Sequence, residues 1–308
     1  MYLFIITILI VWFFCLLLFY FISIIKMLKN KLIISLKGGF GNQLFQVVNG
    51  INLSKKFNKK LVIDLSSFNK MNISRNTKRN YELDFLNFNY EKINYLSFFF
   101  KFYSRFSKNL VYIKEKNFNF HPIVLEENKS YFIEGYWQSY KYFENNKSDI
   151  YKFFDKTKNN LIHNSFSKII KRYNSVCVHI RRGDYVNDIN TNRFHGLCDI
   201  NYYKKAIALM KERTPNAKFF FFSDDIHFLN KNFGKNKDYI IVSNEKNNLI
   251  DEFVMMLSCN NFILANSSFS WWAAFLSSNF NKTVIAPSKW FNANINTSDL
   301  IPKEWIQI

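Results

Sequence analysis

Short apolar runs alternate with helical repeats at the start of this chain. Apolar residues at 32–36 and 61–64 predict two strands, and the apolar spacing of residues 42–57 predicts a helix between them. Residues 38–41 include three glycines and join the first strand to the helix. Together these segments predict a strand, a glycine loop, a helix and a second strand.

The pattern is weaker between residues 68 and 129, which are aromatic and rich in asparagine and lysine. We interpret this segment as helices and loops that pack on the first domain. After it, residues 131–136 predict a strand. Residues 141–154 and 156–173 predict amphipathic helices that lead into the second half of the chain.

Predicted strands and helices alternate regularly in the second half. Strands are predicted at 175–180, 218–222, 239–242, 262–265 and 283–286, and helices at 200–213, 225–232, 249–259 and 269–278. Such alternation indicates a parallel sheet with helices on both faces. The predicted fold class is therefore α/β, with two Rossmann-like domains, residues 28–155 and 156–308, that face each other across a cleft.

An apolar stretch precedes these domains. Residues 1–25 contain no charged side chain, and this span is longer than the roughly 20 residues that cross a bilayer. Lysines follow the stretch, and positive residues prefer the cytoplasmic side. We therefore expect residues 1–27 to form a transmembrane helix with the body of the protein in the cytoplasm. Met27 is also a plausible start, and a chain that begins there would be cytoplasmic.

The net charge of the chain is +19, which favours an anionic partner such as nucleic acid, an anionic lipid or a nucleotide. One hypothesis built on this charge is a membrane-tethered protein that binds nucleic acid or an anionic surface. The four cysteines are far apart and form no Cys-x-x-Cys pair. They indicate neither a zinc site nor a disulfide framework, which fits a reducing cytoplasm.

The most informative segment is residues 176–185, where a buried strand ends in His179, Arg181, Arg182 and Asp184. Ligands of open α/β sheets bind beyond the carboxyl ends of the strands. Two arginines at that place suit a phosphorylated ligand, because a guanidinium donates paired hydrogen bonds to phosphate oxygens. The alternative is a surface salt bridge between Arg182 and Asp184.

The glycine loop is a second candidate binding site. Glycine lets the backbone approach a ligand, and the helix N-terminus that follows favours an anion. A dinucleotide-binding fingerprint would need a glycine where this chain has Leu44. Asp64, however, lies at a suitable distance in the sequence for a ribose contact, so an oxidoreductase stays an alternative hypothesis. A tight turn is the structural alternative, while Asn42 and Gln43 favour hydrogen bonds to hydroxyl groups.

Two further predicted strands end in polar turns. Asp224 or Asp225 could accept hydrogen bonds from guanine, and the alternative at this turn is a helix cap formed by Ser223 or Asp224. Residues 266–272 place three serines at a helix N-terminus, where they could hold a phosphate, although capping explains one of them. Trp271 and Trp272 are expected in the core.

The sequence contains no Asp-x-Asp motif and no Gly-x-x-x-x-Gly-Lys loop. Neither the metal clamp of many sugar transferases nor a P-loop NTPase is therefore indicated. Charge that develops on a leaving diphosphate would have to be met by arginines and backbone N–H groups. We expect neither a metal ion nor a cofactor.

Taken together, five segments resemble the bacterial α-1,2-fucosyltransferase family. They are residues 38–46, 135–139, 179–184, 222–225 and 266–272, in the family's order. The resemblance implies a two-domain GT-B fold and a GDP-fucose donor bound mainly by the C-terminal domain. It also implies metal-independent transfer with inversion to the 2-hydroxyl of a galactose-containing glycan, without a nucleic-acid partner. The chain departs from the family at Phe40, where leucine is usual, and in its apolar N-terminus, which is not typical of the bacterial members and favours Met27 as the start. If residues 1–27 do form an anchor, we expect it in the bacterial inner membrane.

The resemblance also implies roles for individual residues. Arg181 and Arg182 are expected to stabilise the leaving diphosphate. Asp184 or Glu134 is expected to act as the general base, unless an oxocarbenium-like route needs little help from a base. The candidate catalytic residues are therefore Arg181, Arg182 and Asp184. The residues expected to bind the donor are Gly39, Asn42, Gln43, His179, Arg181, Asp224, Asp225, Ser267, Ser268 and Ser270.

Overall fold

The structure of the chain is a computed structural model. It describes residues 30–69, 79–86, 88, 90–94, 97–152, 154, 165–244 and 246–308, together with Trp12 and Cys15. Apart from these two positions, the apolar helix predicted over residues 1–27 lies outside the described residues. Within the described part of the chain, none of the helices has both the length and the apolar character that a bilayer crossing requires.

The first sheet is built from five parallel strands. They are β1 Lys31–Ser35, β2 Lys60–Asp64, β3 Glu91–Ile93, β4 Leu110–Lys114 and β5 Ser130–Glu134. Their order across the sheet is β3-β2-β1-β5-β4. Strand β1 is central, with Ile33 opposite Val62 on one side and Phe132 on the other. Because β1 is buried along its length, it is almost continuously apolar, as expected of a central parallel strand.

The second sheet is built from six parallel strands. They are β6 Asn174–Ile180, β7 Ala217–Ser223, β8 Tyr239–Ile241, β9 Asn261–Ile263, β10 Val284–Ala286 and β11 Ile306–Gln307. Their order is β11-β10-β9-β6-β7-β8. Strand β6 lies between β9 and β7, with Val178 opposite both Ile263 and Phe221. The carboxyl ends of these three strands therefore meet at one edge of the sheet.

Helices connect the strands. They are α1 Phe40–Lys56, α2 Ser97–Tyr103, α3 Ser165–Ile170, α4 Gly183–Asn187, α5 Ile189–His195, α6 Ile200–Arg213, α7 Ile226–Phe233, α8 Leu249–Leu257 and α9 Ser268–Leu276. Helices α5 to α8 each begin at a side-chain cap, in which Asp188, Asp199, Asp225 or Asn248 accepts from the amide three residues later. Each cap satisfies a backbone amide of the first helical turn, which fixes the residue at which the helix begins.

Most predicted elements are confirmed to within two residues, but two predictions are wrong in part. Of the helix predicted over residues 156–173, α3 covers Ser165–Ile170, and residues 156–164 lie outside the described part of the chain. Residues 68–129 were expected to form helices and loops, and they contain β3 and β4. Both strands lie at the edges of the sheet and are partly exposed, so neither has the continuous apolar sequence that is typical of a buried strand. Residues 141–154 were expected to form one helix, but short 3-10 turns at Tyr140–Tyr142 and Glu144–Asn146 come first. Between these turns, Phe143 turns into the core and its ring stacks on Trp272.

The two sheets share a core where α1 packs against α9. The ring centroid of Phe45 lies 4.6 Å from that of Trp271 and 4.9 Å from that of Trp272. Both tryptophans are fully buried, which confirms their predicted place in the core. The indole of Trp272 also donates to the carbonyl of Gly41 at 2.9 Å. The predicted domain boundary at residues 155–156 falls outside the described residues and stays a prediction.

Candidate functional site

A cleft of about 650 Å³ lies at the carboxyl ends of both sheets. One side is formed by the glycine loop after β1 and the turn after β5. The other side is formed by the turns after β6, β7 and β9. The predicted residues that line this cleft are Gly39, Asn42, His179, Arg181, Asp184, Asp224, Ser267 and Ser268.

A chain of ion pairs runs through the cleft. Arg181 follows β6 and lies next to the end of β7, since Ile180 pairs with Ser223 in the sheet. Its Nη1 is 2.7 Å from Oδ2 of Asp224, and its Nη2 donates to Oδ1 of Asp184 at 2.5 Å. The other oxygen of Asp184 accepts from Nη2 of Arg79, also at 2.5 Å.

Asp184 is therefore held between two guanidinium groups. Burial alone would raise the pKa of this carboxyl, but Arg181 and Arg79 outweigh burial and hold the pKa below its ordinary value. Burial likewise opposes the charge of Arg181, while Asp224 and Asp184 raise the pKa of its guanidinium. Both groups are consequently charged at neutral pH.

Two histidines in the cleft are neutral at the same pH. His179 on β6 is 5% exposed, and burial lowers its pKa to about 4 against the opposing charge of Asp224. His195 stacks on Tyr185 with ring centroids 4.7 Å apart, and burial lowers its pKa to about 4 as well. Among the described residues, Nδ1 of each ring has no hydrogen-bond partner. Both of these nitrogens are buried, so the two rings contribute no charge to the cleft.

Asn42 joins the glycine loop to the N-terminus of α9. Its Oδ1 accepts from Oγ of Ser268 at 3.0 Å and from Nε2 of Gln138 at 2.5 Å. Ser267 occupies the N-cap of α9, and its side chain makes no capping hydrogen bond. The first amides of this helix therefore face the cleft with the partial positive charge that favours an anion.

Arg182 and Asp225 were predicted in the site, but neither lines the cleft. Nε of Arg182 donates to Oδ2 of Asp225 at 2.9 Å, and the guanidinium lies 4.0 Å above the ring of Phe228. Asp225 also accepts from the amide of Phe228 as the cap of α7. A helix cap was predicted at this turn, but at Ser223 or Asp224, and the structure places it one or two residues later, at Asp225. Arg182, next to Arg181 in sequence, is therefore occupied by contacts outside the cleft.

Gln43 and Ser270 are fully buried, and they hold backbone in place instead of lining the cleft. Nε2 of Gln43 donates to the carbonyls of Gly38 at 2.9 Å and Asn80 at 2.8 Å, while its Oε1 accepts from the amide of Glu82 at 3.0 Å. Ser270 donates to the carbonyl of Ser267 at 3.2 Å. Gln43 thus ties the segment after residue 79 to the glycine loop.

The candidate base Glu134 lies outside the cleft. Its carboxylate accepts from the hydroxyl of Tyr112 at 2.7 Å and lies 2.6 Å from Nζ of Lys101. Burial opposes the charge, but these two partners and Lys37 lower the pKa of Glu134 to about 2. This carboxylate is already paired and far too weak a base for that role, whereas Asp184 lines the cleft.

Several residues of the cleft were missed in the sequence. Arg79 and Glu82 belong to the segment in which no pattern was visible, and Glu252 lies within α8. Burial raises the pKa of both glutamates, and for Glu252 the nearby charge of Asp224 adds to the effect. One oxygen of Glu82 is buried without a partner among the described residues.

One end of the cleft is apolar. We call this surface the aromatic wall, and it consists of Phe118, Tyr136, Phe194, Trp290 and Phe291. Phe291 lies at its centre, with its ring centroid 4.9 Å from that of Phe118 and 5.2 Å from that of Phe194. Aromatic residues make up 19% of this chain, so nothing in the sequence distinguished these from core residues.

The described cysteines are all free, and no group of three or more histidine, cysteine, aspartate or glutamate side chains is arranged to hold a metal ion in the described ranges. The cleft instead combines two guanidinium groups, a helix N-terminus and an aromatic surface. This arrangement suits a ligand with an anionic part and an uncharged, partly apolar part.

The chain is similar in sequence to known glycosyltransferases. The family model described as glycosyl transferase family 11 matches residues 7–308. The chain is 33% identical over 286 residues to an alpha-1,2-colitosyltransferase of Escherichia coli, which covers 89% of this chain and 97% of that protein. It is 30% identical over 301 residues to the O-antigen biosynthesis glycosyltransferase WbnK of Escherichia coli, which covers 89% and 99%. Among solved structures, the α-1,6-fucosyltransferase NodZ co-crystallised with GDP aligns at a TM-score of 0.42 and 11% identity, covering 80% of this chain and 92% of that one.

Proposed function

The chain belongs to glycosyl transferase family 11, and from this membership we propose that it transfers L-fucose from GDP-fucose to the 2-hydroxyl of a galactoside in a surface glycan. The observation that carries the proposal is the meeting of Arg181, the N-terminus of α9 and the glycine loop in one cleft. We propose further that the two parallel sheets form a GT-B fold.

The donor's diphosphate binds where a guanidinium group and a helix N-terminus meet in the cleft. Arg181 donates to the phosphate oxygens, and the first amides of α9 next to Ser268 donate from the other side. Of the predicted pair that would recognise guanine, only Asp224 lines the cleft, so that role falls to Asp224. With these donors in place, charge on the leaving diphosphate is stabilised without a metal ion.

Asp184 is the proposed general base. In the unliganded cleft its hydrogen bonds to Arg181 and Arg79 make it a weak base. A diphosphate that takes those hydrogen bonds raises the pKa of Asp184 toward the ordinary value. The carboxylate then accepts the proton of the acceptor's 2-hydroxyl, whose oxygen attacks C1 of fucose while the bond from C1 to the diphosphate breaks. The β-linked donor thus gives an α-linked product.

The aromatic wall is the proposed acceptor site. One face of a galactose ring carries mainly C–H groups, and such a face packs on aromatic rings, while the ring hydroxyls reach polar groups at the edge. Phe194 is 38% exposed and is therefore available for such a contact.

A second candidate for the donor sugar is colitose, because the chain is 33% identical to a protein named as a colitosyltransferase. Colitose is fucose without its 3-hydroxyl. A site that hydrogen-bonds a substrate hydroxyl rejects the analogue that lacks it, whereas an apolar site discriminates weakly. The two donors are therefore separable by their kcat/KM ratio.

The test is incubation of the full chain with GDP-fucose or GDP-colitose and a panel of β-galactosides, followed by linkage analysis of the product. We expect an α-1,2 product that forms equally in the presence of EDTA. Transfer to another position, or no transfer to any galactoside by folded protein, would refute the proposal. The rival hypothesis of a nucleic-acid or anionic-surface binder predicts tight, steeply salt-dependent binding of RNA or DNA in place of turnover.

We also propose that residues 1–27 anchor the protein in the bacterial inner membrane with the catalytic body in the cytoplasm. The support is the uncharged stretch followed by lysines. Fractionation of cells that express the full chain, beside a variant that starts at Met27, tests this. Equal recovery of both proteins in the soluble fraction would exclude an anchor.

A further inference from the structure

Asp184 bridges two arginines that come from opposite sides of the cleft. Arg181 follows β6 of the second sheet, whereas Arg79 precedes the 3-10 turn at Asp84–Leu86, which packs beside the first sheet. Each guanidinium donates to a different oxygen of the same carboxylate at 2.5 Å. An anion therefore already joins the two halves at this point in the unliganded protein.

The position of Arg79 is fixed by the glycine loop. A Cβ placed on Gly39 would lie 3.8 Å from Nη1 of Arg79, so the guanidinium lies directly over that glycine. The neighbouring residue Asn80 is held through its carbonyl by the buried side chain of Gln43 at 2.8 Å. The same motif that brings backbone N–H groups to the cleft thus brings a cation with it.

The sequence predicted that the second diphosphate-binding arginine is Arg182, and the geometry does not suit that role. The Arg182 guanidinium is paired with Asp225 and stacked on Phe228, outside the cleft. Arg79 is in the cleft, and its side chain is 37% exposed. It is therefore accessible to a ligand without disturbing the fold.

We propose that Arg79 is the second diphosphate-binding residue of this enzyme and acts together with Arg181 from the opposite side of the cleft. The proposal rests on the proposed function, because it takes a nucleoside-diphosphate sugar as the donor. The diphosphate occupies the place between the two guanidinium groups where the carboxylate of Asp184 now lies. Each guanidinium group can donate paired hydrogen bonds to different oxygens of the diphosphate, so two of them bind it more tightly than one does.

The experiment is calorimetric titration of the full chain with guanosine, GMP and GDP. Arg79→Ala should weaken GDP binding about ten- to hundredfold, GMP binding less, and guanosine binding by no more than about twofold, because only charge-assisted hydrogen bonds to phosphate are lost. Arg79→Lys keeps the charge without the fork and should show a smaller loss for GDP, about three- to tenfold. Arg105 is exposed and outside the cleft, so Arg105→Ala is the matched control for removing one positive charge.

Three outcomes overturn the inference. Equal losses for guanosine and GDP in Arg79→Ala would mean that Arg79 only supports the structure. Unchanged GDP binding in that variant, or a loss no larger than that of Arg105→Ala, would mean that the diphosphate lies elsewhere. If the folded wild-type chain binds no GDP, the proposed function fails and the inference fails with it, which distinguishes this case from the first two.

Discussion

Gly41 lies where α1 meets α9, and its replacement by alanine tests how the two halves of the cleft are joined. A Cβ at this position would lie 2.4 Å from the carbonyl carbon of Ser268 and 2.6 Å from its carbonyl oxygen. Ordinary contacts are near 3.5–4 Å, and backbone on both sides cannot rotate away as a side chain can. The two helices must therefore move apart by about 1 Å.

The cost of Gly41→Ala follows from three contributions. Overpacking against backbone costs about 3 kcal/mol, at the upper end of the usual range. Separation of the helices also weakens the hydrogen bond from the Trp272 indole to the Gly41 carbonyl, for about 1 kcal/mol. Alanine returns about 1 kcal/mol through its higher helix propensity. The net loss is about 3 kcal/mol, which lowers Tm by about 6 °C in a chain of this length.

Gly39→Ala is the matched control in the same loop. The nearest atom to its added Cβ is Nη1 of Arg79 at 3.8 Å, an ordinary contact, and the φ of Gly39 is −83°, which any residue adopts. Alanine is a poorer N-cap than glycine but restricts the unfolded chain, and these effects of about 0.5–1 kcal/mol offset each other. Thermal melts of both variants decide the matter. A Tm for Gly41→Ala at or above wild type, or an equal drop in Gly39→Ala, would refute the steric argument.

Three further predictions concern the cleft. Arg181→Ala should lower kcat about 10²- to 10³-fold in a transfer assay, since it removes a charged donor to the leaving diphosphate, and near-normal turnover in folded protein would contradict its role. Phe194→Ala should raise the KM for the galactoside several-fold while leaving GDP affinity unchanged, and a parallel loss of GDP affinity would place the ring near the donor instead. His179 and His195 have pKa values of about 4 when folded, below the ordinary 6.5, so the unfolded chain binds more protons between those values. Their contribution to stability is full above about pH 6.5 and is lost as the pH falls toward 4, at up to about 1.4 kcal/mol per pH unit for each. Urea unfolding measured across this pH range should show the free energy of unfolding rising with pH. A shallower rise in His179→Asn would show that His179 contributes part of the effect.

The sequence was sufficient for the parts of the fold that repeat a local pattern. Strand β6 and helix α6 were predicted almost to the residue, because a buried parallel strand and an amphipathic helix each carry a periodic signal. Strands β3 and β4 show little of this periodic signal, because they are short, lie at the edges of the sheet and are stabilised by their neighbours. The helix expected from residue 141 begins only at Lys147 for a similar reason, since packing of Phe143 against Trp272 overrides the helical spacing of the residues before it.

The candidate site divides in the same way. Residues at strand ends, such as Arg181 and Asp224, were predictable because parallel strands end at one edge of the sheet. Which of two adjacent residues faces the cleft was not predictable, as Arg182 and Asp225 show, because a neighbouring helix cap or ring decides it. Arg79 was invisible for another reason: it lies in a segment without a pattern, and its links to the motifs, through Gln43 and Asp184, are contacts between residues far apart in the sequence.

The charges in the cleft explain why Asp184 is both a partner of the arginines and the proposed base. The charged side chains that line the described part of the cleft are Arg79, Arg181, Glu82, Asp184, Asp224 and Glu252. Carboxylates outnumber arginines, and both histidines are neutral, so a diphosphate added to this arrangement would meet net repulsion at short range. The raised pKa values of the two glutamates reduce that repulsion. In the proposed mechanism, the diphosphate lowers the remaining repulsion by taking the place of Asp184 between the guanidinium groups. The proposed base would then be freed only by a bound donor, so the acceptor's hydroxyl would be deprotonated only when a donor sugar is in place.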